Sequence, residues 1–129
     1  MNRRTDLLYT ALALAVLLAL LQAAAIAFYL YWSYWWYDVL MHFLGGLTGG
    51  LAAFWVLFHS GLFWRSMPSK KTATLATLFC LMTAGVLWEV MEFQYGMLDS
   101  FESYPLDVFN DLVLDASGAL LAAYIGLKE

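Results

Sequence analysis

The stretch Asp38–His59, DVLMHFLGGLTGGLAAFWVLFH, decides the fold. It is apolar enough, and at about 20 residues long enough, to cross a bilayer as a helix. Yet it opens with an acid and a histidine one helical turn apart, about 6 Å at the rise of an α-helix. A carboxylate in hydrocarbon costs several kcal/mol unless it is paired, protonated or bound to a cation. A span that keeps Asp38 and His42 on one face therefore carries more than a membrane anchor.

Three further apolar stretches of similar length flank it, so the spans fall at about residues 7–30, 38–59, 72–93 and 106–127. Of the 129 residues, 64% are hydrophobic and 12% charged, with a mean hydropathy of +0.72. Soluble domains carry roughly 25% charged residues. The composition excludes a soluble protein and predicts a single integral membrane domain over residues 1–129. The alternating pattern of a membrane β-barrel is absent. Both prolines, Pro68 and Pro105, fall between spans, where they break no helix. The expected fold is all-α, a four-transmembrane-helix bundle.

The basic residues orient it. Arg3 and Arg4 precede the first span, Arg65, Lys70 and Lys71 separate the second from the third, and Lys128 follows the fourth. All lie on one side, which the positive-inside rule makes cytoplasmic. Both termini are then inside, in a multi-pass protein of the cell membrane (the inner membrane of a Gram-negative cell). The first apolar run, about 20 residues, exceeds the 7–15 of a signal-peptide core and reads as a retained helix. The run FYLYWSYWWY at Phe28–Tyr37 suits an outer interfacial belt, since Trp and Tyr combine an apolar body with a polar edge. Phe63 and Trp64 mark the inner interface. The single Cys80 excludes a disulfide framework and a Cys-based zinc site. Six Lys and Arg in total exclude a nucleic-acid partner.

Depth and face tie seven polar residues together. Asp38 and His42 are four residues apart, Glu89 and Glu92 three, and Asp107, Asp111 and Asp115 four and eight, so each set lies on one helix face. All three sets fall in the outer half of the bilayer, with no Lys or Arg beside them. Small residues continue the same faces inward: Gly45, Gly46, Gly49 and Gly50, then Gly85, then Gly118, Ala119 and Ala122. Small residues at this spacing let helices approach closely. The pattern predicts a bundle sealed on its inner side, with a polar cavity opening outward. The first span, with Gln22 as its only strongly polar interior residue, reads as a lipid-facing scaffold.

Carboxylates with one imidazole form a hard, oxygen-rich donor set that suits Mg, Mn, Ca or Fe, and Zn through the histidine. His42, Glu89, Glu92, Asp111 and Asp38 are the candidate metal ligands, with Asp38 alternatively orienting His42. Asp107 and Asp115 are the candidate catalytic acids, completing the site or acting as general base. Plainer readings stand beside these. Asp38 and Asp107 also suit helix caps, His42 a hydrogen-bonded core histidine, and the other four protonated acids bonded between helices. Asp99 and Glu102 read as solvated loop charges.

The pattern Tyr37-Asp38-x-x-x-His42-Phe43, Trp88-Glu89-x-x-Glu92, Asp107-x-x-x-Asp111-x-x-x-Asp115-x-x-Gly118-Ala119 resembles the small membrane proteins of the VanZ-like and YjdF-like families. The resemblance covers the last three spans. It is closer to the YjdF-like kind, because VanZ-like members usually carry Gln where this chain has Glu92 and Asn where it has Asp115. It implies a compact helical protein of the cell membrane and supplies no established reaction.

Three functions follow from the residues. The first is a divalent-metal-dependent hydrolase of a lipid phosphate or headgroup at the outer leaflet, because metal sites activate water and clamp phosphoryl oxygens. The second is a cation or proton transporter or sensor. The third is an accessory subunit of a larger membrane complex, in which a partner supplies bases to the acids; a homo-oligomer is the other assembly expected, and would give a transporter a path at its interface. An acid-phosphatase mechanism built on Lys, Arg and His is excluded by the lack of Lys and Arg near the cluster.

Overall fold

The computed structural model describes residues 3–96 and 103–128. The loop acids Asp99 and Glu102 lie outside these residues. The chain forms α1 (Arg3–Ala27), α2 (Leu30–Ser33), α3 (Trp35–Phe58), α4 (Lys70–Tyr95) and α5 (Tyr104–Lys128), with no strand among the described residues. The four long helices are each apolar and long enough to cross a membrane. The all-helical, four-span expectation therefore holds.

Local chemistry sets the helix ends. The Ser69 Oγ, just after Pro68, accepts the Thr72 N–H at 3.2 Å and caps α4. Such a cap contributes about 1 kcal/mol. Gly96 ends α4 in the left-handed region at φ 67°, where a side chain would be strained. Between α1 and α3 the aromatic run makes the turn. Tyr29 takes a left-handed conformation at φ 55°, α2 follows, and extended Tyr34 starts α3. Tyr29, Trp32, Trp35 and Trp36 remain exposed along this link. The Tyr37 ring instead turns inward and its hydroxyl donates to the Leu21 carbonyl at 2.8 Å, tying α3 to α1.

The helix starts also remove two of the plainer readings. Tyr34 precedes α3 as its cap residue, so Asp38 lies inside the first turn. The Asp107 N–H already donates to the carbonyl of Ser103, the residue just before α5, at 3.0 Å. Neither acid is an N-cap.

Helix α3 is the centre of the bundle, packed on α1, α4 and α5. Its tightest partner is α5. A methyl group at Gly46 would run into the Asp115 backbone, and one at Gly118 into the backbone of Phe43 and Leu47. Gly50 meets Ala119 and Ala122 in the same way. Without a hydrophobic driving force between helices in lipid, this backbone-to-backbone packing is what holds the pair. At the end carrying the basic residues, Leu7, Leu51, Phe54, Phe58 and Ala73 close a buried core. The Trp55 indole N–H donates to the Arg4 carbonyl there at 2.8 Å. Trp64 folds back onto the Phe58 ring, centroids 5.2 Å apart, while Phe63 stays exposed.

The sealed half is thus found, but the glycines divide their work. Gly46 and Gly50 face α5, whereas nothing lies within 4 Å of a methyl built on Gly45. Gly45 and Gly49 line a cavity, which Gly46 also borders, and a methyl on Gly49 would meet the Leu81 side chain of α4.

Candidate metal centre

His42 is the hub. Its place on α3, one turn below Asp38 and one turn above Gly46, sets it at the closest approach of α5, from which Asp111 and Asp115 reach across. The Nδ1 atom lies 3.2 Å from Asp115 Oδ1. The Nε2 atom lies 3.5 Å from Asp111 Oδ2 and 3.6 Å from Asp38 Oδ1. Asp111 and His42 are nearly closed off, with side chains 5% and 10% exposed, while Asp38 at 38% faces the mouth.

These distances are chemically informative. A neutral imidazole has one N–H. The contact with Asp115 is within hydrogen-bonding reach and takes it. Nε2 then turns its lone pair toward two carboxylate oxygens, at separations longer than a normal hydrogen bond. The arrangement calls for positive charge at Nε2, either a second ring proton or a metal ion. Donors at about 2.0–2.2 Å from a tetrahedrally coordinated metal are about 3.3–3.6 Å apart, close to what His42 makes with each acid. One donor atom from each of Asp38, His42 and Asp111 falls within 4.8 Å of the others, so the three side chains could hold a metal ion. A histidine that ligates through one nitrogen while a carboxylate holds the other is the usual way proteins orient such a ligand. The geometry gives that orienting position to Asp115. Asp38, the expected alternative, faces the other nitrogen.

The remaining acids surround this hub. Glu89 on α4 is 5% exposed, and its Oε1 accepts no hydrogen bond among the described residues. It lies in electrostatic range of His42, Asp115, Glu92 and Asp107. Glu92 lines the cavity, and the Trp88 indole N–H is directed to it. Asp107, partly exposed in the first turn of α5, faces Glu89, Glu92 and Asp111. The structure therefore brings all six acids and the histidine to one end of the bundle, with Asp38, His42, Asp111 and Asp115 in closest association. Gly85 makes room for this: a methyl there would stand 2.8 Å from Asp115 Oδ2. Ser117, on the same helix, bonds back to the Val113 carbonyl at 2.7 Å and takes no part.

Beside the hub is a cavity of about 490 Å³ whose lining is mainly apolar. Asp38, His42, Glu92 and Asp115 occupy only part of its wall. The expected outward-facing polar cavity is thus corrected to an apolar one with a polar end. Helix α1 is largely exposed, as a lipid-facing scaffold would be, but it also lines this cavity through Ala15, Leu18, Ala19 and Gln22. Gln22 accepts a hydrogen bond from the Tyr31 hydroxyl. Burial, and then the nearby Asp38 charge, push that hydroxyl's pKa up, so it stays protonated as the donor. Gln22, Tyr31 and Trp88 escape a sequence reading of the site. The available signal was one amide in an otherwise apolar helix.

The fold and hub define a four-span helical membrane protein with a buried acid–histidine centre. The chain belongs to the family of predicted membrane proteins designated DUF2238, which it matches over residues 2–128. No curated protein and no solved structure matches it.

Proposed function

We propose that Asp38, His42 and Asp111 bind a divalent metal ion, and that the protein is a metal-dependent hydrolase of a membrane lipid phosphate. The observation that carries the reading is the environment of His42. One nitrogen is held by Asp115, and the other faces two acids across a gap of metal-ligand dimensions. The buried Oε1 of Glu89 adds a second acceptor, one that receives no hydrogen bond among the described residues. Removing such a group from water is costly without a compensating partner.

A bound metal would supply a polarised phosphoryl oxygen and a water of lowered pKa. Asp107, on the first turn of α5, would then act as the general base that takes the proton of that water, with the buried Glu89 beside it. In the reaction, water oxygen bonds to phosphorus, the ester P–O bond breaks, and the leaving alkoxide takes a proton. Asp115, expected as a catalytic acid, is better suited to orienting His42. The closure of the other half by Leu51, Phe54 and Phe58 weighs against a permanent ion path. The basic loops support placing the site in the outer half of the cell membrane, with both termini inside. Trp88-Glu89-x-x-Glu92 supports a YjdF-like rather than a VanZ-like kinship.

Elemental analysis of the detergent-purified chain tests the metal. The expected result is one equivalent of a divalent ion, absent from His42→Ala and Asp111→Asn. No metal in the wild type after dialysis against Mn, Zn, Mg, Ca and Fe(II) would end the reading. Phosphate release from lipid phosphates, abolished by chelation, would then establish the reaction.

A further inference from the structure

Helix α1 packs along α3, and α4 along α5 and α3, but α1 and α4 share no comparable interface. Between them the cavity forms a slot. Leu18 and Ala19 stand on one wall, Leu81 and Ala84 on the other, and Gly45 and Gly49 form the floor. The slot runs along α1 and α4 within the candidate spans, where a lateral opening between the two helices would meet lipid. Water in its apolar part would find few hydrogen-bond partners, and a bilayer offers hydrocarbon chains instead. Its size, about 490 Å³, is within the usual range of ligand cavities, roughly 300–1,000 Å³.

The polar end of the slot fits a particular head. Glu92 and Asp38, with His42 and Asp115, line the cavity together with Trp88 and Tyr31, and among the described residues no Lys or Arg lines it. Acids and aromatic faces together recognise ammonium groups. We propose that the slot seats one acyl chain of an amine-headed phospholipid, which enters sideways between α1 and α4, and that Glu92 with Trp88 and Tyr31 receives its ammonium. The proposal deepens the reading above by naming the lipid, and takes from it only that the ligand is a phospholipid.

Nanodiscs carrying the full chain and a diazirine-tailed phosphatidylethanolamine test it, beside the same probe with a phosphatidylglycerol head. Photo-crosslinks are mapped by mass spectrometry, and metal content is measured in parallel. The ethanolamine probe is expected to label Leu18, Ala19, Leu81 and Ala84 above the lipid-facing Leu20, Phe79 and Leu87. Ala19→Trp, on an exposed helix face, should remove the slot labelling and leave the lipid-facing labelling. A head preference of about five-fold in the wild type, the size of one cation–aromatic contact, should vanish in Glu92→Gln. Uniform labelling of slot and lipid-facing positions would overturn the proposal, as would equal capture of both heads by the wild type. Slot labelling without metal in the wild type would remove the metal centre and uphold the lipid seat. Metal without slot labelling would do the reverse.

Discussion

His42 carries the site because its two nitrogens face different company. Asp115 at 3.2 Å holds Nδ1, while Asp111 and Asp38 stand off from Nε2 at 3.5 and 3.6 Å. If Nε2 is a metal ligand, Asp115 acts through the imidazole and its replacement is graded. Asp115→Asn should weaken metal affinity by about 10- to 100-fold, the usual effect of losing an orienting carboxylate. Asp111→Asn should abolish it. Titration with a competing chelator measures both. The affinity of the wild type should also fall as pH is lowered, because protons compete with the metal for the acids and imidazole. Equal losses in Asp115→Asn and Asp111→Asn would show that Asp115 is a ligand itself. The pairing of Asp115 with His42 was not legible in the sequence. A single helix offers His42 only Asp38, four residues away, whereas Asp115 is 73 residues distant and arrives through packing.

The elements that bring them together are α3 and α5, and their contact is made by backbone. Gly46→Ala would place a methyl against the Asp115 carbonyl, which has no rotamer to yield. Overpacking of this kind costs about 1–3 kcal/mol. Gly45→Ala, one residue away, meets nothing. Thermal unfolding in detergent should therefore separate neighbouring glycines. Gly46→Ala should lower the midpoint and release metal, and Gly45→Ala should do neither. The four apolar helices were plain from hydropathy, and the shared face of each acid set from its spacing. The rotation of α3 was not, because Gly45-Gly46 and Gly49-Gly50 are adjacent pairs and composition does not say which member faces a neighbour. The part played by α1 was hidden for a related reason. Its Ala15 and Ala19 look like any lipid-facing turn until α4 is seen to stand apart from it.

At the scale of the whole molecule, charge is segregated along the bundle. The acids gather at one end, while Arg4, Lys70 and Lys128 lie at the opposite ends of their helices. Under the orientation proposed from the positive-inside rule, both termini and the Arg65–Lys71 link would be cytoplasmic and the acid centre would lie toward the outside. Reporter fusions at residue 1 and residue 129 should both give a cytoplasmic signal, and an impermeant thiol reagent should reach a cysteine at Trp35. A mixed outcome would put the acid centre on the other face. The interlocked glycines of α3 and α5 have a mechanical consequence as well. Helices tilt to match the thickness of the membrane they sit in, each at modest cost. A pair keyed backbone to backbone resists relative tilt, whereas α1 and α4 lean on that pair without bracing each other. A thicker or thinner membrane is therefore absorbed by the two outer helices, and the spacing of Asp111 and Asp115 around His42 stays the same wherever the protein resides.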